Sequence, residues 1–196
     1  MYIKYLVPAV QQRSEMTCVP ATIYMLLHWY LDRIGAHNAS TPFDALVNVS
    51  QKQFSAQEAQ ATKAGQTLWD GLDVSNIGNF VRHFGLASQS INIDPAAFRD
   101  QLQQYGPFVY IEAIGLDNLP VDRMVESLRT GHRYEHAVLI SGLSESHSLW
   151  TIFFNDPAFG SGHQMDFFKF VTAAHRPFRG LTKSLILYLP HKILGH

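Results

Sequence analysis

Gly85 separates two patterns in this chain, and that separation limits the fold more than any other feature of the sequence. Before it the signals are helical. An apolar run at 21–31 follows Cys18. Ser55 and Glu58 form a capping box ahead of residues 59–64, stopped by Gly65. Asp73 then caps residues 74–84, which carry Ile77, Phe80, Val81 and Phe84 on one face. After Gly85 the period changes. Residues 88–93 alternate as a strand does, Asp94-Pro95 opens a short helix through Leu102, and strands are expected at 108–114, 134–141, 149–154 and 184–189. Residues 116–131 read as a connection, and 167–173 as helix in preference to strand. Helices first and strands afterwards imply an α+β fold, with helices gathered on one side of a mostly antiparallel sheet. No repeat or linker divides the chain. The expectation is one domain over 1–196, with a helical part of about 1–87 and a sheet part of about 88–196.

Composition narrows the function. With 196 residues, 46% hydrophobic and 16% charged, the chain can bury a substantial core. A net charge of −1 and the lack of any Lys/Arg cluster argue against nucleic acid or an anionic membrane as partner. No run reaches the roughly 18 apolar residues of a membrane span, and the apolar stretch within residues 1–8 is too short for a signal peptide. The chain is therefore expected in the cytoplasm, or delivered by a specialised secretion route that uses no cleavable signal. One cysteine excludes an intramolecular disulfide and a multi-thiolate zinc site. No metal or other cofactor is expected. His132 and His136 lie four apart, but in a segment that reads as strand, where they do not share a ligating face.

That one cysteine stands at a helix start. Thr17 suits an N-cap, and Cys18, Val19 and Pro20 would form the first turn, where unbonded N–H groups and the helix dipole favour a thiolate. Pro20 fits, because its missing N–H has no intrahelical partner there. A lone cysteine is otherwise a small buried hydrophobe. Its company decides between these readings.

Gln12 precedes Cys18 by six positions, and Gln11 competes with it. Residues 134–142 place His136 at the start of an apolar strand. Residues 150–157 form another apolar strand that ends Asn155-Asp156-Pro157. An antiparallel hairpin turning near Glu145-Ser146 would bring His136 and Asp156 to one end. His136 can then take the thiol proton and return it to a leaving amine, and Asp156 can hold the far ring nitrogen. Asn155 is the alternative orienting residue. Neighbouring strand residues point to opposite faces, so only one of the two can serve. The Gln12 side-chain amide and the Cys18 N–H can stabilise a tetrahedral oxyanion. Singly, each residue has an ordinary reading: a strand-end histidine, a turn-opening Asp-Pro, a surface glutamine.

Taken together, Gln12…Thr17-Cys18, Glu135-His136-Ala137-Val138…Gly142 and Asn155-Asp156-Pro157 resemble the papain-like cysteine peptidases. The resemblance is nearest to small bacterial members, the double-glycine peptidases that process bacteriocin leaders and the papain-like effector proteases of plant pathogens. Val19-Pro20 departs from the Gly or Trp that many relatives carry after the nucleophile. The resemblance implies a papain-like fold with the cysteine on a helix N-terminus against the sheet. It also implies a Cys18–His136–Asp156 endopeptidase with Gln12 in the oxyanion hole, acting on a protein or peptide after small residues such as Gly-Gly. A delivered bacterial effector or toxin, with a cognate immunity protein or inhibitor, fits the same likeness. Deamidases, transglutaminases and arylamine acetyltransferases share the Cys–His–Asp order, and a non-catalytic binding module on the same fold is the third class.

Overall fold

The computed structural model describes residues 1–12, 18–35, 82, 84–113, 135–159, 161–174 and 182–190. The helical signals at 55–64 and 73–81, the connection at 116–131, Thr17 and His132 lie outside the described residues. The architecture is mixed α and β, α+β in broad class, and its centre is one seven-stranded sheet. The elements in chain order are β1 (Tyr2–Lys4), α1 (Cys18–Arg33), β2 (Ala87–Asn92), α2 (Pro95–Tyr105), β3 (Phe108–Ala113), β4 (Glu135–Ser146), β5 (Leu149–Asp156), β6 (Ser161–Asp166), α3 (Phe167–Ala174) and β7 (Lys183–Tyr188). The main path runs β2-β7-β3-β4-β5-β6, with β1 added to β4, and all the described pairings are antiparallel. Among the described residues no helix is long and apolar enough to cross a membrane.

Local chemistry explains the clearer elements. Asp94 caps α2 by accepting the Ala97 N–H at 2.8 Å, Pro95 supplies the preset φ of a first helical residue, and Gly106 ends the helix at φ 83°. β3 is apolar at Phe108, Val109, Tyr110 and Ile111, the mark of a strand covered on both faces.

The covering helices do lie on both faces, which corrects the expectation that they gather on one side. Val109, Ile111, Ala137, Leu139 and Leu187 pack with Val19, Ile23, Met25, Leu26 and Trp29 of α1. Phe108, Tyr110, Val138, Ile140, Phe154 and Ile186 pack with Phe98 and Leu102 of α2 and Phe167 and Phe170 of α3. The alternation of odd and even positions in β3 and β4 sorts the two clusters.

β4 is longer than expected, and its hairpin turns at His147-Ser148, not at 145–146. Both turn residues have positive φ, 49° and 65°, without the Asn or Gly that would have marked the site. Midway along β4 an irregularity separates Ile140, opposite Phe154, from Gly142, opposite Phe153. There β4 changes partner, from β3 up to Ile140 to β1 from Gly142 onward. The extra residue reverses the parity, so Leu143 joins Ile140 on the α2–α3 face.

Residues 2–4 therefore belong to the sheet and not to the helical part expected over about 1–87. Gly142 is what allows this. A Cβ at Gly142 would collide with the Ile3 carbonyl oxygen and lie 2.9 Å from the Lys4 Cα, both backbone atoms. Gly142→Ala is expected to destabilise the protein by about 1–3 kcal/mol, the usual range for overpacking against atoms that cannot turn away. Urea titration gives the value; a change below half a kcal/mol would mean that β1 shifts freely.

Candidate active site

Residues 5–12 follow no regular element, yet each end of this segment is tied to the sheet. The Tyr5 N–H donates to the Ser141 carbonyl at 2.8 Å, and the Gln12 N–H donates to the Pro157 carbonyl at 2.7 Å. Between these ties, Asn155 Nδ2 donates to the Val7 carbonyl at 3.2 Å. The segment thus travels along β5 toward its C-terminal end and leaves Gln12 beside Pro157. The Gln12 Oε1 is buried without a hydrogen-bond partner among the described residues, whereas Gln11 is exposed.

Helix α1 packs against the same part of the sheet. Trp29 meets Tyr5, ring centroids 5.4 Å apart, at the level of Ser141. One turn earlier, Met25 Sδ lies 3.9 Å from Asn155 Nδ2, and Asn155 is the register partner of Leu139. A helix rises about 1.5 Å per residue and a strand about 3.3 Å. The seven residues from Met25 back to Cys18 therefore span about 10 Å, as do the three from Leu139 back to His136. Cys18 shares its cluster with Ala137, the residue after His136. It is the first residue of α1, 8% exposed and packed in the α1-side cluster.

His136 and Asp156 are joined directly. The ring Nε2 and Asp156 Oδ1 are 2.8 Å apart, with both side chains 13% exposed. The register accounts for the contact. Leu139 is opposite Asn155, so Asp156 has the parity of Val138 and His136, and continuing the antiparallel register past that pair brings its carboxylate toward the His136 ring. Asn155, of opposite parity, points to α1 and does not compete.

Oδ1 also accepts the Ala158 N–H at 2.8 Å. Burial pushes the Asp156 carboxyl up. The hydrogen bond and charge of His136, the Ala158 N–H and the charge of His163 outweigh it, and the group ends below its ordinary value.

His136 and Asp156 carry the parity of the α2–α3 face, while Cys18 packs on the α1 face. Of the residues named from the sequence, Gln12, His136 and Asp156 meet at one end of the sheet through the Gln12–Pro157 and His136–Asp156 hydrogen bonds, and Cys18 lies in the α1-side cluster that also holds Ala137 and Leu139. His163 on β6, which sequence reasoning missed, adds its charge to the Asp156 environment. Its ring packs on Phe154 and Phe159 at 5.4 and 5.9 Å. Ser161-Gly162-His163-Gln164 shows no alternation that would have announced β6. No group of three or more His, Cys, Asp or Glu side chains among the described residues is placed to hold a metal ion.

No protein-family model matches the chain, and no curated protein matches it.

Proposed function

We propose that this chain is a papain-like cysteine peptidase that cleaves a protein or peptide through Cys18, His136 and Asp156. One observation carries the reading: the His136–Asp156 imidazole–carboxylate pair, 2.8 Å apart, stands at the end of the sheet where Gln12 docks on Pro157, and the sequence order Gln12, Cys18, His136, Asp156 supports joining Cys18 to it. In the proposed reaction His136 takes the Cys18 proton as the sulfur attacks the scissile carbonyl. The carbonyl π pair moves to oxygen, where the Gln12 amide and the Cys18 N–H stabilise it. Collapse breaks the C–N bond, the imidazolium gives its proton to the amine, and water then hydrolyses the thioester by the same route. Asp156 keeps the ring oriented through Nε2, which leaves Nδ1 as the nitrogen for the thiol.

The reading extends to cleavage after small residues such as Gly-Gly, and to a delivered bacterial effector or toxin matched by an immunity protein. Mass spectrometry of protein captured by the Cys18→Ala variant and then treated with active enzyme tests it. New termini support proteolysis. An intact backbone with a small mass increase would point to the deamidase and transglutaminase class instead.

The burial of Cys18 in an apolar cluster favours a second reading, a binding module whose cysteine is core filling. Alkylation separates the two. A peptidase Cys18 is expected to react with iodoacetamide at mildly acidic pH faster than a free model thiol, and more slowly after His136→Ala. A rate no faster than the model thiol, and indifferent to His136, would favour the binding module.

A further inference from the structure

We infer that Asn155 is a positioning residue: it pins residues 5–12 along the end of the sheet and so fixes where the Gln12 carboxamide stands. The inference rests on the peptidase reading and adds to it a residue that neither touches substrate nor orients His136. Asn155 is a polar side chain only 5% exposed, in a strand whose preceding residues are Ile152, Phe153 and Phe154. Burying an amide among apolar neighbours is unfavourable unless it is hydrogen-bonded.

Its Nδ2 donates to the Val7 carbonyl at 3.2 Å and lies 3.9 Å from Met25 Sδ, so one amide joins the N-terminal segment, β5 and α1. Gly162, its partner across the ladder, leaves room for the other end, since a Cβ there would lie 3.2 Å from Asn155 Oδ1. The Val7 carbonyl sits in irregular backbone, where a side chain must supply what a ladder would otherwise provide. Five residues beyond Val7 comes Gln12, whose own N–H is held by Pro157, two residues beyond Asn155. Asn155 and Pro157 thus form a two-point clamp that sets the approach of Gln12 to Cys18, with Val10 packed against the α1-side cluster between them.

The test compares two reactions of Cys18 that differ in their need for Gln12. Iodoacetamide alkylation develops no oxyanion. Addition of the thiolate to a Gly-Gly peptidyl aldehyde forms a C–S bond, moves the carbonyl π pair to oxygen and ends, after proton transfer from the imidazolium, as a hemithioacetal. In Asn155→Leu, of similar size but without a donor, aldehyde affinity is expected to fall about tenfold or more, part of what loss of an oxyanion donor costs. Alkylation should stay near the wild-type rate. Hydrogen exchange should show the Gln12 N–H losing protection while the amides of α1 and β4 keep theirs.

Unchanged aldehyde affinity, or an unchanged Gln12 amide, overturns the inference. A parallel fall in alkylation also overturns it, because Asn155 would then be packing the whole site. Asn155→Asp keeps the shape without the donor and must reproduce the pattern if the leucine variant does not fold; failure of both to fold assigns Asn155 a purely structural role. If the wild-type protein does not bind the aldehyde, the peptidase reading fails first, and the two failures are distinguished.

Discussion

Cys18→Ala is expected to remove peptide hydrolysis altogether, and His136→Ala to remove nearly as much. When nucleophile and base act as a unit, loss of either costs about a millionfold, and loss of both costs little more. The double variant should therefore be no slower than the worse single one. Non-additivity is the sensitive part of the prediction, since two residues acting on separate features of the site would multiply their effects. Stability should respond differently. Cys18 packs with Val19, Ile23 and Met25, and removing one sulfur from that cluster is a small-cavity change of about 1 kcal/mol. Cys18→Ala should thus fold and still bind substrate, which is what makes it usable as a trap. An alanine variant that unfolds, with His136→Ala fully active, would return Cys18 to the core-filling reading.

The parts of the fold that were legible in the sequence are those set by neighbouring residues. Asp94-Pro95 announces α2 because cap and first helical residue are adjacent, and the change of period at Gly85 announces the sheet. β1 was hidden because Tyr2–Lys4 is a strand only through pairing with Gly142–Ser144, far along the chain, and through a glycine whose role depends on that approach. β6 was hidden for the opposite reason: a polar edge strand has one ladder and little burial, so its residues need no alternation. Helices on both faces were readable in principle, since residues 108–111 are apolar at every position. The same division holds at the candidate site. The closeness of His136 and Asp156 follows from two strands and a hairpin. The docking of Gln12 on Pro157 rests on a backbone hydrogen bond, and residue types do not encode it.

Asp156→Ala is expected to lower hydrolysis by about a thousandfold to ten-thousandfold, the range for losing the group that orients a catalytic imidazole. Asp156→Asn should be much milder here, for a reason specific to this site. Two donors meet at Oδ1, the His136 Nε2–H and the backbone N–H of Ala158, both at 2.8 Å. The Ala158 N–H cannot act as an acceptor, so it holds the oxygen of an asparagine amide at that position and keeps the NH₂ away from Nε2. The ring then retains its tautomer and loses only the charge, so the deficit should be smaller than that of the alanine variant. If Asp156→Asn falls as far as Asp156→Ala, the charge itself and not the orientation is what Asp156 supplies.

The acid side of the stability curve gives an independent check. Because the folded carboxyl lies below its ordinary value, its contribution is fully present above the unfolded value, about 3.9, and is lost as pH falls through the folded one. Urea midpoints measured between pH 5 and pH 2 should therefore decline less steeply for Asp156→Asn than for the wild type. Identical slopes would mean that the His136–Asp156 contact does not persist in solution, and the proposed site would lose the pair that orients its base.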